Sequence, residues 1–210
     1  GVASVTTALY LESGTKELDC HFNNDGIAEW NAGNITLYTG GVFNNIGTFN
    51  VYSDKTISGA TFNNHGTFRK LRPSADIAAG TTTISSVFNN YGTLDVQSGV
   101  MWHIEGGSGT GLFTTANTGT IWFDGNSTKI FSLSGSASFA GTGTIHITSQ
   151  LDAASNISIP GTVNMDGSSK ITGSGNVSIT GTMNWNAGQM DAGGSTTISP
   201  GAKLNIGGAV

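Results

Sequence analysis

Charged residues are scarce in this 210-residue chain. They fill 10% of positions, where average globular domains carry about 25%. Eight Lys and Arg lie scattered among thirteen Asp and Glu, for a net charge of −5. That distribution leaves no basic footprint for nucleic acid. The single cysteine, Cys20, excludes an internal disulfide. No run approaches about 18 consecutive apolar residues, so no membrane insertion is expected. Nor does any window sustain a 3.6-residue apolar period, which excludes a long amphipathic helix. No secretory leader is visible and the chain opens on Gly1 without Met, as a processed or excised segment would. Prolines number only three, but there are 32 glycines. Thr, Ser and Asn fill most remaining polar positions. This uncharged, β-branched, Gly-punctuated composition fits stacked β structure rather than helices.

One short phrase recurs. It reads Phe22-Asn23-Asn24-Asp25-Gly26, Phe43-Asn44-Asn45-Ile46-Gly47, Phe62-Asn63-Asn64-His65-Gly66 and Phe88-Asn89-Asn90-Tyr91-Gly92, with a degenerate copy at Phe139-Ala140-Gly141-Thr142-Gly143. Aligning its Gly with Gly119, Gly161, Gly181 and Gly201 gives intervals of 21, 19, 26, 27, 24, 18, 20 and 20 residues. Self-similarity at that period marks a solenoid. Between Gly47 and Gly66 three short alternating segments are separated by turn residues such as Ser53-Asp54 and Ser58-Gly59. Three strands and three turns make one rung of a parallel β-helix. The expected fold is therefore all-β, a parallel β-solenoid of nine to ten coils. We expect it right-handed and roughly 45 Å long at ~4.8 Å per coil, forming one domain over residues 1–210.

Stacking on that Gly yields three apolar ladders. Phe22, Phe43, Phe62, Phe88 and Phe139 precede it by four residues, Phe49, Phe68 and Leu94 follow by two, and Trp30, Val51 and Val96 follow by four. Lys70 and Thr115 interrupt these ladders, so a bulge or register change is expected at each. Asn24, Asn45, Asn64, Asn90 and Asn117 share one corner position, which predicts an amide ladder. The repeat Gly is expected at positive φ. Thr48, Thr67, Thr93, Thr120, Thr144, Thr162 and Thr182 follow the Gly and form an outward row. An ice-binding reading of that row fails on its neighbours, because Arg69 and Trp122 would break a flat face.

The phrases Gly-Thr-Phe-Asn-Val, Gly-Thr-Met-Asn-Trp-Asn-Ala-Gly and Ile-Ser-Pro-Gly-Ala-Lys-Leu-Asn-Ile resemble repeats of large secreted bacterial β-helix proteins. These are the haemagglutinin-like adhesins and autotransporter passenger domains. The resemblance runs from about Leu9 to Ile206 and speaks for architecture, since fold does not fix activity. It implies an extracellular or cell-surface location and carries over no functional residues.

The chemistry-bearing residues are dispersed. Asp54, Asp124 and Asp166 sit after strands and read as turn residues, not the paired carboxylates a glycan hydrolase needs. Arg69, Lys70, Arg72 and Asp76 form the one local charge cluster, a candidate binding loop. His21, His65, His103 and His146 share no spacing, and no metal or cofactor is expected. Gly106 to Gly111 superficially resembles a phosphate loop, but it lacks the Lys and the helix and reads as a flexible insert. Four Asn-X-Ser/Thr sites, at Asn34, Asn126, Asn156 and Asn176, are what chance gives in this composition. Trp30 and Trp185 fall on core positions while Trp122 falls outward, so a glycan contact near Trp122 and His146 is a candidate site, with Arg69 and Arg72 as candidate ligand contacts.

No capping helix covers either end of the pattern, and an open terminal coil is an unpaired edge. The expectation is a window of a longer rod, or subunits stacking end to end. The sequence thus points to a non-catalytic stalk or fibre segment whose partners are itself or adjoining segments. A carbohydrate-binding adhesin module is the alternative, and a polysaccharide lyase or hydrolase the third reading.

Overall fold

The computed structural model describes residues 1–71, 80–125, 128–191 and 193–207. Among these, all regular structure is β-strand, and the strands stack in parallel into a β-solenoid of about ten turns. Each rung crosses three faces. Face one carries the Phe-Asn-Asn phrases. Face two follows the Gly-Thr that closes each of the first phrases, as in Thr48–Val51, Thr67–Lys70 and Thr93–Val96. Face three lies between face two and the next face one. Three long strands, Ile35–Asn45, Thr56–Asn64 and Thr81–Asn90, turn the corner from face three to face one, with register shifts at Leu37/Val42 and Ser86/Val87. Faces three and one therefore merge into a 17-stranded sheet. Face two is a 7-stranded sheet, followed by a separate 3-stranded one of Ile157–Ile159, Val177–Ile179 and Thr196–Ile198.

Alternation in these strands sends every second residue inward, and cross-rung pairing converts that into axial columns. On face one, Phe22, Phe43, Phe62 and Phe88 stack in register. The Phe43 and Phe62 rings lie 4.8 Å apart at 6°, and Phe62 and Phe88 5.7 Å apart at 20°. On face two, Phe49 and Phe68 stack at 5.1 Å and meet the face-one rings edge to face, at 87° for Phe43–Phe49 and Phe62–Phe68. Each such pair adds roughly 0.5–1.5 kcal/mol beyond the area it buries. In later rungs the columns turn aliphatic, with Leu151, Ile171, Val163 and Met183 fully buried.

The Phe-Asn-Asn phrase builds two amide ladders. The second Asn points inward, and Asn24, Asn45, Asn64 and Asn90 are fully buried. Nδ2 of Asn24 donates to Asn45 Oδ1 at 2.8 Å and to the Thr48 carbonyl at 3.0 Å. Asn45 and Asn64 repeat the pattern, and Asn90 ends it on the Leu112 carbonyl. The first Asn points outward, where Asn44, Asn63 and Asn89 each donate to the Asn of the preceding rung at 2.9–3.0 Å.

Several expectations are corrected. Asn117 is exposed and outside the ladder, because Gly109 stacks on Asn90. The segment Gly107–Gly109 is no insert but a paired face-one strand, with Gly107 on Phe88 and Ser108 on Asn89. Gly111, not Gly119, continues the repeat Gly, and Gly119 pairs with Gly99 on face three. Phe139 accordingly stacks on Phe113 of face two, at 5.2 Å, and not on the Phe88 column. The Thr row divides between faces: Thr48, Thr67 and Thr93 on face two, Thr120, Thr144, Thr162 and Thr182 on face three. The repeat glycines Gly47, Gly66 and Gly92 do not take positive φ. They are Gly because a Cβ on any of them would stand 1.9–2.1 Å from the carbonyl oxygen of the repeat Gly one rung earlier. Lys70 and Thr115 cause no register shift, and pairing runs unbroken through Val51, Lys70, Val96 and Thr115.

Candidate functional site

The outer surface of face three carries a stack of aromatic side chains that lies outside the core. Thr83, Trp102, Trp122, His146, Asn164, Asn184 and Asn205 pair in sequence along one outward column. Inward neighbours such as Ile84, Ile121 and Ile147 are buried, so alternation fixes this column outward. Trp102 and Trp122 stack at 5.2 Å and 22°, and Trp122 and His146 at 4.7 Å and 13°. The structure thus unites Trp122 and His146 and adds Trp102. Trp102-His103 lies one 20-residue rung before Trp122-Phe123. That signal is present in the sequence, and aligning Gly92 directly with Gly119 hides it.

A polar column beside the rings locks them. Trp102 Nε1 donates to Asp124 Oδ2 at 2.8 Å, and Trp122 Nε1 donates to Thr148 Oγ1 at 2.9 Å. Thr148 in turn donates to Asp124 Oδ1. His146 Nε2 lies 2.8 Å from Asp166 Oδ2, whose second oxygen accepts from Asn186 at 2.9 Å. Asp124 and Asp166 are cross-rung acceptors with both oxygens engaged, an arrangement that orients rings rather than moves protons. With one ring above and one below, Trp122 has no free face. It presents only its edge, so sugar stacking on Trp122 does not fit this geometry.

The charge cluster separates. Arg69 and Lys70 are successive strand residues pointing to opposite sides of face two. Arg69, outward, pairs with Asp95 of the next rung at 2.8 Å. It lies on a different face from Trp122. Arg72 and Asp76 lie outside the described residues. Lys70 is inward and fully buried, its Nζ donating to Asp54 Oδ1 at 3.0 Å and to Thr82 Oγ1 at 2.8 Å. Burial pulls its pKa down, and the Asp54 carboxylate partly offsets that.

A second buried titratable group is His103. Its ring lies in the core against Phe88 at 4.9 Å, Phe131 at 5.8 Å and Phe123 at 5.9 Å. Neither ring nitrogen has a hydrogen-bond partner. Desolvation drives its pKa down from 6.5 to about 3. Among the described residues, no group of three or more His, Cys, Asp or Glu side chains could hold a metal ion.

No family model matches this chain, and neither a curated protein nor a solved structure does.

Proposed function

We propose that the chain is a non-catalytic structural rod, a stalk or fibre segment of an extracellular or cell-surface protein of bacterial type. The observation that carries this reading is the axial continuity of its side-chain columns. Ring stacks, two amide ladders and parallel strand pairing all run along one direction, so each rung offers the next a matching set of apolar and hydrogen-bonding positions. Repeats that contact only their neighbours make a rod whose length scales with rung number. Apolar side chains are also uncovered on an outermost rung. Ile206 is 71% and Leu204 43% exposed where they continue the Trp185 and Met183 columns. These positions suit a further rung, supplied by an adjoining segment or a second copy.

Electron microscopy of the purified chain over a range of concentrations tests the reading. Filaments that lengthen with concentration assign the axial neighbour to a second copy. Short monodisperse rods assign it to adjoining segments. Particles that are not rods, or cleavage of an acidic polysaccharide by the purified chain, would overturn it.

A further inference from the structure

The ring stack on face three has one open end. Trp122 is covered on both sides and His146 is followed by the Asn164 amide. Trp102 is covered by Trp122 on one side only. On its other side the paired residue is Thr83, and beyond Thr83 comes Thr56. Among the described residues, no ring packs against that side of Trp102. Next to Thr56 and Thr83 runs a second outward column of Thr36, Ser58 and Ser85. The face therefore steps down from an indole wall to a terrace of small hydroxyl side chains. All five are partly exposed, and none of their hydroxyls is engaged by another described residue. Glu17 continues the Thr36 column at the end away from Trp102, and the exposed Lys55 directly precedes Thr56.

We propose that the Thr83 side of Trp102 is a glycan-binding subsite that takes one pyranose ring of a neutral oligo- or polysaccharide. The apolar C–H face of a sugar packs on an indole face, and indoles pair a large apolar body with a fixed orientation. The sugar's hydroxyls then meet Thr56, Thr83, Ser58 and Ser85, each able to donate and to accept. The hydroxyl residues nearest the Trp102 ring, Thr56, Thr83, Ser58 and Ser85, are uncharged and suit an uncharged partner. The wall is also held in place beforehand. Trp122 backs the Trp102 ring, and the bond from Nε1 to Asp124 fixes its angle, so little side-chain freedom is lost on binding. The subsite is independent of the rod reading, because a stalk can carry it or lack it.

The test is titration of the full chain with cello-, chito-, xylo- and mannohexaose. It compares the native protein with Trp102→Ala, Trp102→Phe and Thr83→Trp. At least one hexasaccharide should bind. Trp102→Ala should weaken it at least tenfold and Trp102→Phe only a few-fold. Thr83→Trp extends the stack over the free ring face and removes the Thr83 hydroxyl while leaving Trp102 in place, and should also weaken binding at least tenfold with the β circular dichroism unchanged. The proposal is overturned if none of the four hexasaccharides binds. It also fails if Trp102→Ala and Thr83→Trp both bind like the native protein, or if only an anionic oligosaccharide such as a galacturonan fragment is retained. None of these outcomes bears on filament formation, so failure here leaves the rod reading standing.

Discussion

Replacing His103 by Phe should make the protein more stable, and by an amount that grows as the solution is acidified. The native ring sits among Phe88, Phe123 and Phe131 with both nitrogens unpartnered. At neutral pH a Phe there removes buried polar atoms worth about 1–3 kcal/mol when unsatisfied, less whatever strain its slightly larger ring introduces. The pH term follows from linkage. The folded pKa of about 3 lies below the unfolded value of 6.5, so the unfolded chain binds the proton first. Stability is full above pH 6.5 and declines as pH falls toward 3. The loss from this one group is about 2 kcal/mol at pH 5 and about 3 kcal/mol at pH 4. Urea unfolding at pH 7.5, 6, 5 and 4 for both proteins isolates the term, since the other titrating groups cancel in the difference. In parallel, nitrogen-15 NMR of the His103 ring should show a neutral imidazole at pH 5. A ring that titrates near pH 6, or a difference between the two proteins that does not change from pH 7.5 to pH 4, would refute the reasoning.

Five other substitutions probe the ladders and the buried ion. Asn45→Leu should cost about 3 kcal/mol in urea unfolding, because it strips the Asn24 and Asn64 amides of buried partners, while Asn44→Ala on the outer ladder should cost about 1 kcal/mol or less. Val5→Asn should raise the unfolding midpoint, worth about 0.5–1.5 kcal/mol. Val5 pairs with Asn24, whose Oδ1 is buried without a donor, and an Asn there supplies one; an unchanged or lower midpoint counts against the ladder account. Lys70→Met should be neutral or stabilising, whereas Asp54→Ala should cost about 3 kcal/mol by leaving a buried ammonium without its counter-charge; equal losses for both variants would contradict that asymmetry.

The first four rungs were legible because each repeats the same phrase in the same register, and the columns of Phe22 to Phe88 and Asn24 to Asn90 stand where their spacing put them. Legibility ended at the fifth. There the face-one position held by Phe88 passes to Gly107, while on face three Ile84 gives way to His103. The two changes compensate in volume, since the His103 ring reaches the Phe88 and Phe131 rings that flank Gly107 in its column. Likewise the Phe113 ring occupies the space a side chain on Gly109 would need, with a Cβ there only 2.6 Å from it. Residues distant along the rung exchange size through the shared core, and column-by-column reading cannot see that. The Trp102 column is obscured in the sequence for a different reason. Gly-Thr followed by alternating apolar residues is a good strand opening on any face, so the same phrase opens face two at Thr48 and face three at Thr144. That ambiguity hides Trp102 in the sequence, and the Thr83 terrace with it.

The two amide ladders on face one carry a further consequence of the fold. They run side by side but point in opposite senses. The inner one donates from each rung to the next, Asn24 to Asn45 to Asn64 to Asn90. The outer one donates back, Asn89 to Asn63 to Asn44 to Asn23. A single aligned row of side-chain amides would add its dipoles along the rod axis, as peptide dipoles add along a helix. Opposed neighbours largely cancel, so each ladder lies in the reduced field of the other. The arrangement sets each inner amide beside an outer one of opposite sense. It also sets a direction on the rod: the inner ladder leaves an unfilled acceptor at Asn24, on the side of the earlier rung. A donor presented there by Asn at position 5 would therefore lengthen the ladder, whereas an Asp at the same position would set an acceptor against an acceptor and destabilise it. The sign of the difference between Val5→Asn and Val5→Asp is thus fixed by the ladder's direction, and a stabilising Asp would show that the direction is the reverse.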